Sequence, residues 1–338
     1  MSRTTNLAQN QPRPIHVQIM RRITPVIVIA FVLFAAIVVY VFFSSLRAQL
    51  DQIHEIELGK RSAEINDLIV QSITDAQNLA ALPSARTFAD DSQKAINEGG
   101  GRVPSGQTEL LRAFLDLLNT NPGRYTGVRF VLPSGGVWTE VVERNGVPTT
   151  FTGFQSGVLS SDQTVQNSLK NTTGVTVSPI TINSTSLGVP IVVMRFFAPV
   201  AGAANQEFLG MIEVDLAATN ILETVHRNFG QENQRWLLVN NQGRYLADSD
   251  SELITPRSLP ENIYSAVEES EPELAALLQN NPGGIQLFSY EDGTLSARLI
   301  EIGAAPDMPW RLIVVDKTGL GSADLFVGLI ALLAGSIL

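Results

Sequence analysis

Residues 125–144 read YTGVRFVLPSGGVWTEVVER, from Tyr125 to Arg144. Two runs rich in β-branched and aromatic residues, Tyr125 to Leu132 and Val137 to Arg144, flank Pro133-Ser134-Gly135-Gly136. That pattern predicts a hairpin. Asn145-Gly146 follows at once. A two-residue Asn-Gly break favours the tight turn whose twist matches that of paired strands, so it leads into a third strand.

The same signals recur downstream. Val175 to Ile180, Val189 to Val200 and Phe208 to Asp215 read as three further strands, and Leu216 to Phe229 as a helix with Leu216, Ile221, Leu222 and Val225 apolar. A second set follows. Arg235 to Asn240, the turn Asn241-Gln242-Gly243 and Arg244 to Ala247 predict a hairpin, and Glu261 to Leu278 is mostly helical in pattern. Gly284 to Tyr290, the turn Asp292-Gly293 and Thr294 to Ile302 predict another hairpin, and Trp310 to Asp316 a last strand. The plan repeats, which implies an α+β fold of two tandem modules with antiparallel sheets.

Upstream, Thr108 to Asn119 is helical, with Leu110, Leu111, Phe114, Leu117 and Leu118 on one side, after a loop at Gly99-Gly100-Gly101 and Pro104-Ser105-Gly106. Before it lies a long helical pattern from Ser44 to about Leu82. Its apolar residues, among them Leu46, Leu50, Ile53, Ile65, Leu68, Ile69, Ala76 and Leu79, step mostly by three and four. A helix over 44–82 would be a rod of about 58 Å. Pro83-Ser84 marks its end or a kink.

Two uncharged stretches bracket all of this. Ile23 to Phe43, ITPVIVIAFVLFAAIVVYVFF, has the length of a membrane span. Pro25 is expected in the first turn, where its missing N–H costs little. Arg3, Arg13, Arg21 and Arg22 precede the stretch with no acid among them, so the N-terminus is expected in the cytoplasm and residue 44 onward outside. Leu325 to Leu338, LFVGLIALLAGSIL, reads as the start of a second transmembrane helix. The expected division is 1–22 cytoplasmic N-terminus, 23–43 transmembrane helix, 44–82 stalk helix, 83–215 membrane-distal module, 216–324 membrane-proximal module and 325–338 second membrane helix.

The net charge of −10 gathers between the apolar stretches, and an acidic middle repels nucleic acid and anionic lipid. With no cysteine, a disulfide framework, a thiolate metal site and a cysteine nucleophile are excluded. Catalytic signatures are missing. His16, His54 and His226 are scattered, and His54-Glu55 lacks the second His of a zinc helix. Gly59-Lys60-Arg61-Ser62 has no preceding Gly-rich turn and reads as a solvated helix face. Asp248-Ser249-Asp250-Ser251-Glu252 lacks the Gly and distal Glu of a calcium loop and reads as a solvated loop. No enzyme activity, catalytic residue, metal or cofactor is therefore expected within these residues.

Ligand-binding candidates are polar residues in apolar strands. Arg129 lies between Val128 and Phe130, and Arg195 within Val192-Val-Met-Arg-Phe-Phe. An Arg in such a strand needs a partner, either a bound anion or an internal carboxylate such as Glu213 or Asp215. Tyr125 and Trp138 would supply an aromatic wall, or in the plainer reading ordinary core.

The order of these pieces resembles the double-Cache family of extracytoplasmic sensors, across roughly Leu46 to Gly319. The stretches that carry the resemblance are Tyr125-Thr-Gly-Val-Arg-Phe with Ser134-Gly-Gly, Gly174-Val-Thr-Val-Ser-Pro-Ile-Thr-Ile-Asn183, Met194-Arg-Phe-Phe-Ala-Pro-Val, Phe208-Leu-Gly-Met-Ile-Glu-Val-Asp215, and Trp236-Leu-Leu-Val-Asn-Asn-Gln-Gly-Arg-Tyr-Leu. The resemblance implies two PAS-like modules on a long helix between two transmembrane helices, a small ligand in the distal module, a homodimer, and an output beyond the second span. Amino-acid-binding members carry an Arg-x-x-Trp-Tyr block and an acid after the Pro. Leu159 to Asn167 and Pro179 to Asn183 have neither, so an amino-acid ligand is not supported; with Arg129 and Arg195 in apolar strands, a small anion is the expected ligand. The expected function is small-ligand sensing and transmembrane signalling by the sensor part of a histidine kinase. Chemoreceptor and diguanylate cyclase sensors are the near alternatives, and a membrane-anchored adhesion or scaffold protein the distant one.

Overall fold

The computed structural model describes residues 15–98, 102–155, 159, 162–184, 190–202, 207–227, 234–240, 242–250, 267–280, 285–290, 293–302 and 310–316. The expectations for 1–14, for the Gly99–Gly101 loop and for the second apolar stretch at 325–338 lie outside them. The chain divides into two compact units, Met1–Ile56 with Leu320–Leu338, and Glu57–Gly319.

In the first unit the described residues are helical, part of α1 (Ile15–Ala81). Arg22–Phe42 within it has 21 residues, a mean hydropathy of 3.0 and no buried share, so it is long and apolar enough to cross a bilayer. Pro25 is interior to α1 rather than in its first turn, because the helix already begins at Ile15. It therefore removes one i→i−4 hydrogen bond.

In the second unit, α1 is followed by α2 (Pro83–Asn97) and α3 (Gln107–Thr120). The long helix ends at Ala81, just before Pro83, as the end-or-kink reading of Pro83-Ser84 expects. Helix α2 is not among the expected elements; Pro83 opens it, where its fixed φ and missing N–H suit the first position. The seven-stranded antiparallel sheet contains β1 (Tyr125–Val131), β2 (Val137–Arg144), β3 (Val147–Gln155), β4 (Thr176–Val177), β5 (Thr181–Ser184), β6 (Pro190–Ala201) and β7 (Phe208–Ala217). Its order is β3-β2-β1-β7-β6-β4, with β5 also on β6. Asn145 (φ 53°) and Gly146 (φ 78°) make the two-residue turn between Arg144 and Val147. Helix α4 (Gln163–Lys170) lies between β3 and β4, and α5 (Thr219–His226) follows β7.

The second sheet has five strands in the order β10-β11-β12-β8-β9. They are β8 (Gln234–Val239), β9 (Tyr245–Asp248), β10 (Ile285–Tyr290), β11 (Gly293–Ile302) and β12 (Trp310–Asp316), with α6 (Val267–Ser270) and α7 (Pro272–Asn280) between β9 and β10. Leu274 and Leu278 of α7 pack on Leu237, Val239, Ile313 and Val315.

One apolar cluster runs through the whole second unit. It joins Ile65, Ile69 and Ala76 of α1, Phe88 of α2, and Leu110 and Phe114 of α3 to Val128, Phe130, Phe196, Ile212 and Val214 of the first sheet. It continues to Trp236, Leu238, Leu312 and Val314 of the second. Phe88 meets Phe130 edge to face, with ring centroids 5.1 Å apart. Because strand side chains alternate, burying this set against helices commits its neighbours to the opposite face.

Candidate functional site

That opposite face of the seven-stranded sheet is charged. Arg129 on β1 stands opposite Glu140 on β2 and Glu213 on β7, and Arg195 on β6 stands opposite Asp215 on β7. Residues opposite one another, or two apart on one strand, share a face, so strand register alone gathers these five side chains. Helix α4 packs on this face through Val165, which joins Val131, Phe197 and Met211 in a small apolar cluster.

The α4 N-terminus adds a fourth acid. Oδ1 of Asp162 accepts the backbone N–H groups of Thr164 and Val165, at 2.9 and 3.2 Å, and so caps the helix. The same carboxylate receives Arg195, from Nη1 at 2.6 Å and from Nη2 at 3.3 Å. The backbone of Arg195 is pinned as well, since its N–H donates to Ser178 Oγ and its carbonyl accepts the Ser178 N–H, each at 2.8 Å.

Arg129 donates from Nη2 to Asp215 Oδ2 at 2.5 Å, and its Nε lies 3.9 Å from both Glu140 and Glu213. Arg195 Nη1 lies 3.7 Å from Glu213 Oε1. Glu213 is thus flanked by two guanidinium groups, yet it is completely buried, and among the described residues neither of its oxygens accepts a hydrogen bond from a nitrogen; its carboxyl shares a hydrogen bond with the Asp215 carboxylate. The Nε atoms of both arginines lack a hydrogen-bond partner. Burial pushes the Glu213 carboxyl up to about 8, with the Arg129 guanidinium opposing the rise and the Asp215 carboxylate adding to it. Burial alone would raise Asp162 too, but the bond to Arg195, its positive charge and the backbone N–H groups of Val165 and Thr164 together outweigh it and hold Asp162 below its usual range. Both arginines have raised pKa values, because the surrounding carboxylates outweigh the burial that opposes their charge.

The four candidates from the sequence therefore separate. Arg129 and Arg195 come together, and the internal carboxylates Asp215, Glu213 and Asp162 already pair with them. Tyr125 and Trp138 stand apart, in the apolar cluster that faces the helices. Tyr125 donates its hydroxyl to Asp75 of α1 at 2.5 Å, and the Trp138 ring stacks at 5.5 Å on Phe154. Strict alternation puts Tyr125 on the Arg129 face. A register shift between Tyr125 and Gly127 turns it over, and another between Val137 and Thr139 does the same for Trp138. Neither signal is visible without the pairing partner. Glu213 and Asp215 enter the sequence analysis only as internal partners of the arginines, and Asp162 does not enter it as a partner at all. The sequence signal for Asp162 is its place directly before the helical run Gln163–Lys170, where an Asp is a favoured N-cap.

The second sheet has a charged cluster of its own. Arg235 bonds Asp248 and Glu271, each at 2.6 Å, and Tyr245 donates to the same Glu271 oxygen at 3.0 Å. Asp248 is therefore a buried strand residue rather than part of a solvated loop.

No protein-family model matches the chain, and no curated protein does. Solved structures do match. The domain of a sensory box/GGDEF family protein from Vibrio parahaemolyticus superposes with a TM-score of 0.60 at 14% identity, covering 80% of this chain and 97% of that one. The extracellular domain of a histidine kinase does so with a TM-score of 0.60, also at 14% identity, covering 80% and 91%. The sensory domain of the Campylobacter jejuni chemoreceptor Tlp3, solved with isoleucine bound, gives 0.55 at 12% identity, covering 81% and 95%. The chain has the fold of Cache-type extracytoplasmic sensor domains. That fold is shared by parts of histidine kinases, chemoreceptors and GGDEF proteins.

Proposed function

We propose that the protein is a membrane-anchored receptor that senses a small molecule outside the cytoplasm, with the charged face of the seven-stranded sheet as its ligand site. The observation that carries this reading is the buried, incompletely hydrogen-bonded network around Glu213, set within a sensor fold. Buried polar groups without partners cost free energy, and they persist where a function uses them. The apolar Arg22–Phe42 helix serves as the membrane anchor, with the N-terminus in the cytoplasm. A histidine kinase output is the reading we favour, with GGDEF and chemoreceptor outputs as alternatives that the superpositions support equally. Binding, not catalysis, is the role assigned to these residues.

The test is thermal unfolding of the full chain in detergent against a panel of small metabolites of every charge type. At least one compound is expected to raise the midpoint saturably, adding about 2.7 kcal/mol at 100 times its Kd. A panel without a single stabilising compound would sink the sensor reading.

A further inference from the structure

The charged face has more acid than base. Glu213 Oε1 and Oε2 and Asp215 Oδ1 accept no N–H group among the described residues, and the hydrogen bond between them is the proton that the two carboxyls share. Two guanidinium groups face four carboxyl groups: Arg129 from β1 and Arg195 from β6, against Glu140 of β2, Asp162 at the start of α4, and Glu213 and Asp215 of β7. Arg129 Nη2 and both Nη groups of Arg195 already bind Asp215 and Asp162. An anionic ligand would add a fifth acidic group to a face where four carboxyl groups meet two guanidinium groups.

We propose, building on the sensor reading, that Glu213 receives a positively charged N–H donor of the ligand, and that the ligand is a small organic ammonium or guanidinium compound without a carboxylate. The cation replaces the proton that the buried carboxyl otherwise keeps. One N–H···O contact to Glu213 forms as one proton leaves to solvent, so the charge of the buried face is unchanged. The approach lies by Glu140 and Asp162, whose side chains are 18% and 27% exposed while Glu213 is at 0%.

The proton exchange gives the proposal its signature. Burial and Asp215 keep Glu213 protonated up to about pH 8, although Arg129 and Arg195 oppose this. A ligand that stays cationic should therefore bind more tightly as pH rises toward that value. The experiment titrates the full chain in detergent with ethylammonium and guanidinium chloride, with acetate and alanine as the anionic and zwitterionic probes, at pH 6 and pH 8.5. At least one cation is expected to bind at pH 8.5 at least about tenfold more tightly than at pH 6. In buffers of different ionisation enthalpy, binding at pH 6 should release close to one proton. Glu213→Gln should weaken that binding about tenfold and abolish its pH dependence. The wild-type proton release stands as a test even if that variant does not fold. Binding of acetate or alanine alone, or cation binding without proton release, overturns the proposal and leaves the sensor reading intact. Failure of every compound, here and in the metabolite panel, removes both.

Discussion

The guanidinium of Arg61, on α1, lies 3.6 Å from the centroid of the Trp236 ring, on β8. The same group donates to the carbonyls of Val225 and Arg227 at the end of α5, at 3.2 and 2.9 Å. One side chain thus ties the long helix to the exit of the first sheet and to the entry of the second. A cation over an indole face is worth about 2 kcal/mol when desolvated, and cations favour helix C-termini.

Arg61→Ala is accordingly expected to lower unfolding free energy by about 3 kcal/mol in urea titrations, since it leaves a buried carbonyl, a part-buried one and an indole face without this partner. Lys60→Ala, beside it, should cost under about 0.5 kcal/mol, as surface substitutions do. Equal costs for the two would show that Arg61 is not the tie.

The Glu213 carboxyl carries a pH prediction for the unliganded protein. Its pKa is raised in the folded state from 4.5 to about 8, so the folded chain holds a proton that the unfolded chain has lost throughout that window. Stability should fall as pH rises from about 5 to about 8 and then level off. Glu213→Gln should flatten the slope. Melting midpoints of both proteins at half-unit pH steps test this, and a wild-type profile that rises over that window would contradict it.

Arg195→Ala should cost about 3–5 kcal/mol, because it strips Asp162 and Glu213 of their shared cation in a buried setting. Asp162→Asn keeps the helix-capping oxygen and should cost less, about 1–2 kcal/mol. Amide hydrogen exchange should then report faster opening of α4 in Arg195→Ala, with α3 unchanged. Unchanged exchange in α4 would mean that Arg195 does not hold that helix.

Gly210 sits at φ 145°, and a Cβ there would lie 2.7 Å from the Val131 carbonyl oxygen and 2.8 Å from the Phe130 ring. Both obstacles belong to the neighbouring strand, and the backbone one cannot swing away. Gly210→Ala should therefore cost about 2–3 kcal/mol, measured by urea unfolding. A neutral effect would mean that β7 can slide away from β1.

Much of the architecture could be read from spacing alone. The hairpin at Pro133-Ser134-Gly135-Gly136, the Asn145-Gly146 turn and the ends of β6 and β12 lie within a few residues of their expected places, because each rests on local turn chemistry and alternation. Helix α2 was hidden behind Pro83, which starts helices as readily as it ends them. Arg61 and Ser62 were read as solvent-facing but are buried, because the segments that cover them, around Val225 and Trp236, lie more than 160 residues away along the chain. The site itself was half legible. That Arg129 and Arg195 need partners follows from their apolar strands, and internal carboxylates were among the expected answers. Which residues share their face depends on two bulges, and a bulge is a property of paired strands rather than of either strand's own sequence.

The apolar cluster that passes from Phe130 through Ile65 to Trp236 and Leu312 joins residues of both sheets in one core. A shared core couples the two sheets mechanically. The two sheets should lose structure together, in one cooperative transition, and a strain introduced beside Glu213 should be carried as a displacement of the whole body.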